Sequence, residues 1–403
     1  MQLSRWSRFV IFTLVLGLGG VLGGAPSAQA GGKIAIGEDS WVSVGAGVRG
    51  SFKMREDSAP DGSWSKDFNL DNARIYLGGQ ITENIKIELN TECIFCGNAD
   101  LQRFALLDAI AKIDVNQYLN VWGGRLLVPA DRREMNGPFY SSTYDAFKTP
   151  FFSSDFSTQY GDGGAGVYGR DNGLNVWGAA FDEKFQYVVG AFTGLRSSPT
   201  EGPNQGDQLL YAGRFAYNFL NRERNPGYYT SGTYFGTAGD IFTVGAAFQY
   251  QTDGAGSKEN SSDFFGLSID VLFEKPIEGV GVFTFDGEYK YFDADYNVDA
   301  FGNSGNFGMF RGNAFTLIGL YLMPEKIGIG KFQPYLRYTG IYPEKSTDRD
   351  EFEVGTNYVI DGFNARVSLF YQYGDLATKG LNYAPEAPGG DISSIWLAVQ
   401  LQI

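Results

Sequence analysis

The stretch DNARIYLGGQITENIKIELNTE, residues 71–92, decides the fold. In its first half Ala73, Ile75, Leu77 and Ile81 fall on one face of an extended chain, and Arg74, Tyr76 and Gln80 fall on the other. Glu83-Asn84 makes a two-residue connection, after which Ile85, Ile87 and Leu89 alternate with Lys86, Glu88 and Asn90. Alternation with period two marks a strand with one apolar and one polar face, and two such strands around a short turn read as a hairpin.

The pattern repeats along the chain. Sixteen segments match it: 41–55, 68–82, 85–92, 105–115, 118–128, 170–181, 185–194, 208–219, 241–251, 263–274, 281–293, 312–323, 332–342, 350–360, 363–373 and 392–403. Strands of about ten residues, apolar toward lipid and polar toward a lumen, closed into a ring, are the one non-helical way to satisfy backbone groups inside a bilayer. The connections obey the matching rule of short turns at one end and long loops at the other. Glu83-Asn84, Asn116-Gln117, 182–184 and Asp361-Gly362 are the short turns, and 129–169, 195–207 and 294–311 are the long loops. Residues 220–240 break the rule, being too long for a turn, so a hidden hairpin and eighteen strands are the alternative to sixteen. A soluble β-sandwich would share the alternation but not the strict short-long order of connections.

The N-terminus reads as an export signal, residues 1–30. Arg5 and Arg8 give a basic start, an apolar stretch follows, and Ala28-Gln29-Ala30 is a small-residue cleavage site. An N-terminal anchor would need about 20 apolar residues, more than this glycine-broken stretch supplies. Residues 31–40 then form a short N-terminal periplasmic segment and 41–403 a transmembrane antiparallel β-barrel in the bacterial outer membrane. No later run approaches the length of a spanning helix.

Composition narrows the function. The chain has 33 Phe, 24 Tyr and 55 Gly among 403 residues, which suits many short strands joined by turns. Its formal charge is −14, and −16 without Arg5 and Arg8, so nucleic acid is not expected as a partner. It contains no histidine, which removes His-based acid–base chemistry, His metal sites and c-type haem attachment. No nucleotide loop, paired catalytic carboxylates or nucleophile with a base is present, so neither an enzyme nor a cofactor is expected.

Six stretches in order resemble the phosphate-selective porin O and P family of outer-membrane channels. They are residues 71–92, GRLLVPADRREMNGPF (124–139), RDNGLNVWGAAFDEKFQYVVGAFTG (170–194), YAGRFAYNF (211–219), FFGLSIDVLFEKP (264–276) and FEVGTNYVIDGFNARVSLFYQY (352–373). The resemblance implies a sixteen-stranded barrel, a homotrimer, and a third outer loop folded into the lumen. It does not imply phosphate. The last strand ends on Ile403 where such barrels usually end on Phe or Trp.

The third loop, 129–169, far exceeds the usual loop of under about 15 residues, so a folded functional element is expected there. Its opening charges Asp131, Arg132, Arg133 and Glu134 are candidates for a constriction, with a solvated surface loop as the alternative. Lumenal alternation gathers Arg49, Lys53, Arg74, Arg337 and Arg366 into a basic arc around the seam, and Arg125 is a further pore candidate. Glu88, Glu92, Asp108 and Asp114, and separately Asp270, Asp286 and Glu288, form acidic walls. Opposed walls sort ions, whereas paired charges would only brace the barrel.

Cys93 and Cys96 in the second outer loop are expected to form a disulfide after export, with a redox pair as the alternative. The run Asp293, Asp295, Asn297, Asp299 imitates an EF-hand, but Val298 and Ser304 stand where Gly and Glu are required. A solvated acidic loop bridging to lipopolysaccharide is expected instead. The sum is a water-filled channel for small hydrophilic solutes or ions with a mild anion preference. The alternative is a structural barrel that sheathes a periplasmic or redox partner, or anchors adhesive loops.

Overall fold

The computed structural model describes residues 31–94, 96, 103–145, 169–294, 311–344, 347–375 and 390–403. The export signal lies outside them. Among the described residues there are seventeen strands and one short helix. In chain order the strands are β1 (Gly32–Ala35), β2 (Trp41–Arg55), β3 (Ser65–Gln80), β4 (Ile85–Ile94), β5 (Arg103–Asp114), β6 (Asn120–Leu127), β7 (Arg170–Ala180), β8 (Phe185–Phe192) and β9 (Leu210–Asn218). They continue as β10 (Ile241–Gly256), β11 (Ser261–Ile277), β12 (Gly281–Ala294), β13 (Gly312–Leu322), β14 (Lys331–Pro343), β15 (Arg349–Asp361), β16 (Ala365–Gly374) and β17 (Ile392–Gln402).

Each strand from β2 to β17 pairs antiparallel with the next, and the ring closes where β17 pairs with β2 in the register Val399↔Gly50 and Leu401↔Val48. Sixteen strands therefore form a closed barrel without an exposed edge. The eighteen-strand alternative fails, because β9 pairs directly with β10 from Thr243↔Asn218 to Gln251↔Leu210. The segment 31–40 carries the short strand β1. Its β1 pairs with Val42 and Val44 of β2, taking the lane beside β2 just beyond the point where Ile403 exchanges hydrogen bonds with Ala46.

The side-chain distribution is the inverse of a soluble protein's. On β2, Val44 and Val48 are about half exposed while Ser43, Arg49 and Ser51 are buried. On β17, Ile395, Leu397, Val399 and Leu401 face out, and Gln400 and Gln402 are buried. An apolar belt around a polar interior would aggregate in water and is stable in hydrocarbon. Among the described residues no helix is long and apolar enough to cross a membrane; the strands cross it. Placing a charge on the belt should be costly. Leu336→Arg, mid-strand on β14 and 54% exposed, is expected to destabilise the folded barrel by about 2–4 kcal/mol, read from urea unfolding in lipid vesicles.

Two register shifts, at Arg49/Gly50 between β2 and β3 and at Asn90/Thr91 between β4 and β5, are β-bulges on the wall that faces the main cavity described below.

Candidate functional site

Beyond Leu127 the third loop turns into the lumen and forms helix α1 (Arg132–Asn136). Asp131 caps it, its carboxylate accepting from the backbone N–H groups of Arg133 and Glu134, both at 3.2 Å. Gly137, at φ 60°, ends it. All five helical residues are buried. A buried charge needs a partner, and each of the four candidate constriction charges has one. Arg132 donates to both carboxylate oxygens of Glu223 (2.7 and 2.6 Å) and lies 3.3 Å from Asp270. Arg133 sits 3.6 Å from Asp286 and 3.9 Å from Glu288. Lys290 lies 2.9 Å from Asp131, 3.4 Å from Glu134 and 3.2 Å from Glu288.

The next residues, 139–145, are held on the opposite wall. There the arginines of the basic arc donate to the loop's backbone carbonyls. Arg366 reaches Ser141 O at 2.9 Å, Arg49 reaches Tyr144 O, and Arg337 reaches Asp145 O and, at 3.3 Å, the Thr143 hydroxyl. Asn357 donates to Ser142 O (3.1 Å) and Gln400 to Phe139 O (2.9 Å). Gly47 makes room for the Phe139 ring, since a Cβ there would lie 2.7 Å from it. Arg337 is also paired with Glu351 (2.9 Å) and Glu353 (2.6 Å), and Arg74 with Glu92 (2.5 Å).

The arc and the acidic walls are thus lumenal, as their alternation places them, but the loop bridges them. They do not stand as two bare walls across an open pore. Lys53 is near the loop end, over the Trp396 ring at 4.1 Å and away from α1. Arg125 is placed differently from the expectation: it registers with Ala109 and Asn172 on an outward-facing row, half-buried. Cys93 and Cys96 are joined by a disulfide at the loop end of β4. Residues 146–168 of the third loop and 295–310 of the sixth, with the EF-hand-like run past Asp293, lie outside the described residues.

The segment that sequence reasoning misjudged, 220–240, holds the largest group of missed residues. It enters the lumen from the turn end. Tyr228 accepts from Asn175 at 2.8 Å and packs its ring at a tilt against Trp122, and Gly227 O accepts from Gln186 at 2.7 Å. On the far side Glu274 accepts from the Thr233 hydroxyl (2.6 Å) and from the backbone N–H of Tyr234 (2.9 Å) and Gly236 (2.7 Å). Phe235 meets Phe363, on the turn between β15 and β16, with ring centroids 4.9 Å apart. The segment therefore runs across the lumen from the β6–β8 wall to the β15–β16 turn.

It also locks onto the third loop. Thr230 donates to Arg132 O at 2.6 Å, Arg132 donates to Ser231 O at 2.9 Å, and Gly232 N–H donates to Tyr140 O at 2.9 Å. A Cβ on Gly232 would lie 2.4 Å from the backbone nitrogen of Ser142, so the contact admits only glycine. Burial alone would push the Glu223 carboxyl up, but the Arg132 charge and hydrogen bonds from Arg132, Tyr234 and Thr243 bring it down to about 2.

A carboxylate whose folded pKa is depressed contributes stability that is whole above its unfolded pKa, about 4.3, and lost as pH falls through the folded value. The clamp is expected to be indifferent to pH above about 5, to weaken below that, and to release only near pH 2. Current noise recorded while stepping the pH checks this.

Two cavities meet at this junction. One, of about 120 Å3, lies between the β2–β5 wall, through Arg74, Tyr76 and Asn90, and the inward residues Asn136, Tyr140 and Tyr229. The other, of about 230 Å3, lies nearer the turn end beside Gln117, Trp177, Gln186 and Asn218. Asn225, Tyr229 and Thr230 line both, so this stretch is the partition between them.

A closed sixteen-strand barrel with an apolar belt, a polar interior and an inward third loop has the architecture of outer-membrane β-barrel porins. Solved structures with this fold include OmpT of Vibrio cholerae, at 14% identity and TM-score 0.51 over 92% of this chain and all of that one. They include OmpF of Salmonella typhi in complex with daunomycin, at 11% identity and TM-score 0.55 over 92% of this chain and all of that one. OprB of Pseudomonas putida at high pH gives 10% identity and TM-score 0.57 over 90% of this chain and 94% of that one. At such identities the likeness is one of fold. No family model matches the sequence, and no curated protein matches it.

Proposed function

We propose that the protein is an outer-membrane channel for passive diffusion of small hydrophilic solutes. The observation that carries this reading is a polar lumen inside an apolar-faced closed barrel, narrowed by its own inward segments, with cavities left between them and the wall. Export by residues 1–30 and an outer-membrane location accord with it. The sheath alternative is disfavoured, because residues 129–145 and 220–240 occupy the space a periplasmic partner would fill.

A mild anion preference is the finer part of the proposal. Near the loop end a cavity collects Lys53, Arg55 and Lys66 against Asp67 and Asp71, an excess of one positive charge. The deeper cations are paired, so the preference is weak. A bilayer recording under a salt gradient is expected to give a small reversal potential of anionic sign; a strong cation preference contradicts it. Assembly as a homotrimer is a further element. One form of the Vibrio cholerae protein, 14% identical with TM-score 0.52, is described as a trimer. Mass measurement in mild detergent tests this. Lipopolysaccharide contact through the outer loops, and descent shared with the phosphate-selective porin O and P family, belong to the same proposal.

A further inference from the structure

We propose that the cavity between the β2–β5 wall and α1 is a binding subsite for a neutral polyhydroxylated solute, a sugar, on the transit path. This rests on the channel reading and goes beyond it by naming the solute class.

The charge balance of the lining argues against an ion. Arg74 is held by Glu92 at 2.5 Å and Arg170 by Asp108 at 2.7 Å, and Glu88 is paired with Lys112. An entering phosphate would have to displace a carboxylate from an arginine and would still face that carboxylate. A bare cation meets the converse problem. A hydroxyl can hydrogen-bond to the outer edges of such pairs without breaking them.

The second observation is Asn136, at the C-terminal end of α1. Its side chain is 6% exposed, lines the cavity, and has no hydrogen-bond partner at either its amide nitrogen or its amide oxygen. Leaving a buried polar group unpaired is unfavourable, so such a group in a native structure calls for an occupant. The occupant must accept from one atom and donate to the other. A sugar hydroxyl does both without a charge, whereas a phosphate brings net negative charge to a lining whose arginines are already paired. The rings of Tyr140 and Tyr229 and the side chains of Leu127 and Met135 supply apolar surface for the C–H face of a pyranose.

Maltose and inorganic phosphate are the probes. In planar bilayers the wild-type channel is expected to show saturable current block by maltose and none by phosphate. Asn136→Leu removes no hydrogen bond from the folded protein. It is expected to raise the half-blocking maltose concentration about tenfold in a barrel that still folds, judged by its electrophoretic mobility without heating. Asn136→Asp, nearly isosteric, guards against a packing effect of leucine and is expected to shift the same concentration. Non-saturable block, equal block in wild type and both variants, or phosphate blocking at lower concentration than maltose would overturn the sugar site while leaving the channel reading intact. A protein that does not conduct contradicts the channel reading. In that event calorimetry of maltose into detergent-solubilised protein decides the site: heat lost in Asn136→Leu upholds it, and no heat in wild type overturns it.

Discussion

Deleting residues 223–238 is expected to raise single-channel conductance severalfold while leaving the barrel folded. The flanks of the cut are already together, with Asn221 N–H donating to Asp240 O at 3.0 Å and Phe219 N–H to Phe242 O at 2.8 Å. A short turn can therefore replace the segment without moving β9 or β10. What disappears is the partition of Asn225, Tyr229 and Thr230 between the two cavities. The closed ladder of β2 to β17 stays, because its hydrogen bonds run between neighbouring strands and do not involve the segment. Unchanged conductance in a correctly folded deletion would place the limiting constriction elsewhere.

Glu223→Ala carries the next largest effect. It leaves Arg132 buried with Asp270 as its remaining carboxylate, and Asp270 is already shared with Arg214. Removing one member of a buried pair typically costs about 3–5 kcal/mol, because the other charge stays desolvated. The loss falls on the junction of the two inward segments, since Arg132 and Glu223 are not on strands. The expected readout is a noisy, flickering current together with tryptic cleavage at Arg222 or Arg224 faster than in the wild type. Arg132→Met with Glu223→Leu removes both charges and is expected to restore much of the protection. Equal trypsin resistance in Glu223→Ala and wild type would show that the ion pair does not hold the segment.

Local pattern carried the barrel. Period two, read from residues 71–92 outward, places Ser43, Arg49, Glu88, Arg337 and Gln400 on the inner face and Val44, Leu89 and Leu336 on the outer face. Naming Arg125 as a pore candidate ran against that pattern: it lies three residues beyond the inward Trp122, so period two puts it on the outward face, and the register passes through it without a shift. The lumen was less legible for a different reason. Arg49 meets Tyr144 O across 95 residues, Arg366 meets Ser141 O across 225, and Arg132 meets Glu223 across 91. Alternation reports which way a side chain points and not what comes to meet it.

Residues 220–240 show the limit most clearly. Their length marked them as anomalous, and a hidden hairpin was the available local explanation. The sequence NPGYYTSGTYF within them is aromatic and hydroxyl-rich like residues 139–145, which was a usable sign of lumenal packing. Without a periodic face, its destination depends on Trp122, Glu274 and Tyr140, which lie far away in the chain. The charges at 131–134 had a comparable fate. They were found, and their inward position was expected, but the partners that neutralise them come from β11, β12 and residue 223.

The central claim is a water-filled channel narrowed by two interlocked segments that enter from opposite ends. Liposome swelling with the purified wild-type protein and sugars of graded size tests it most directly. The account predicts swelling with monosaccharides that slows steeply as the sugar grows. No swelling with any solute would contradict it.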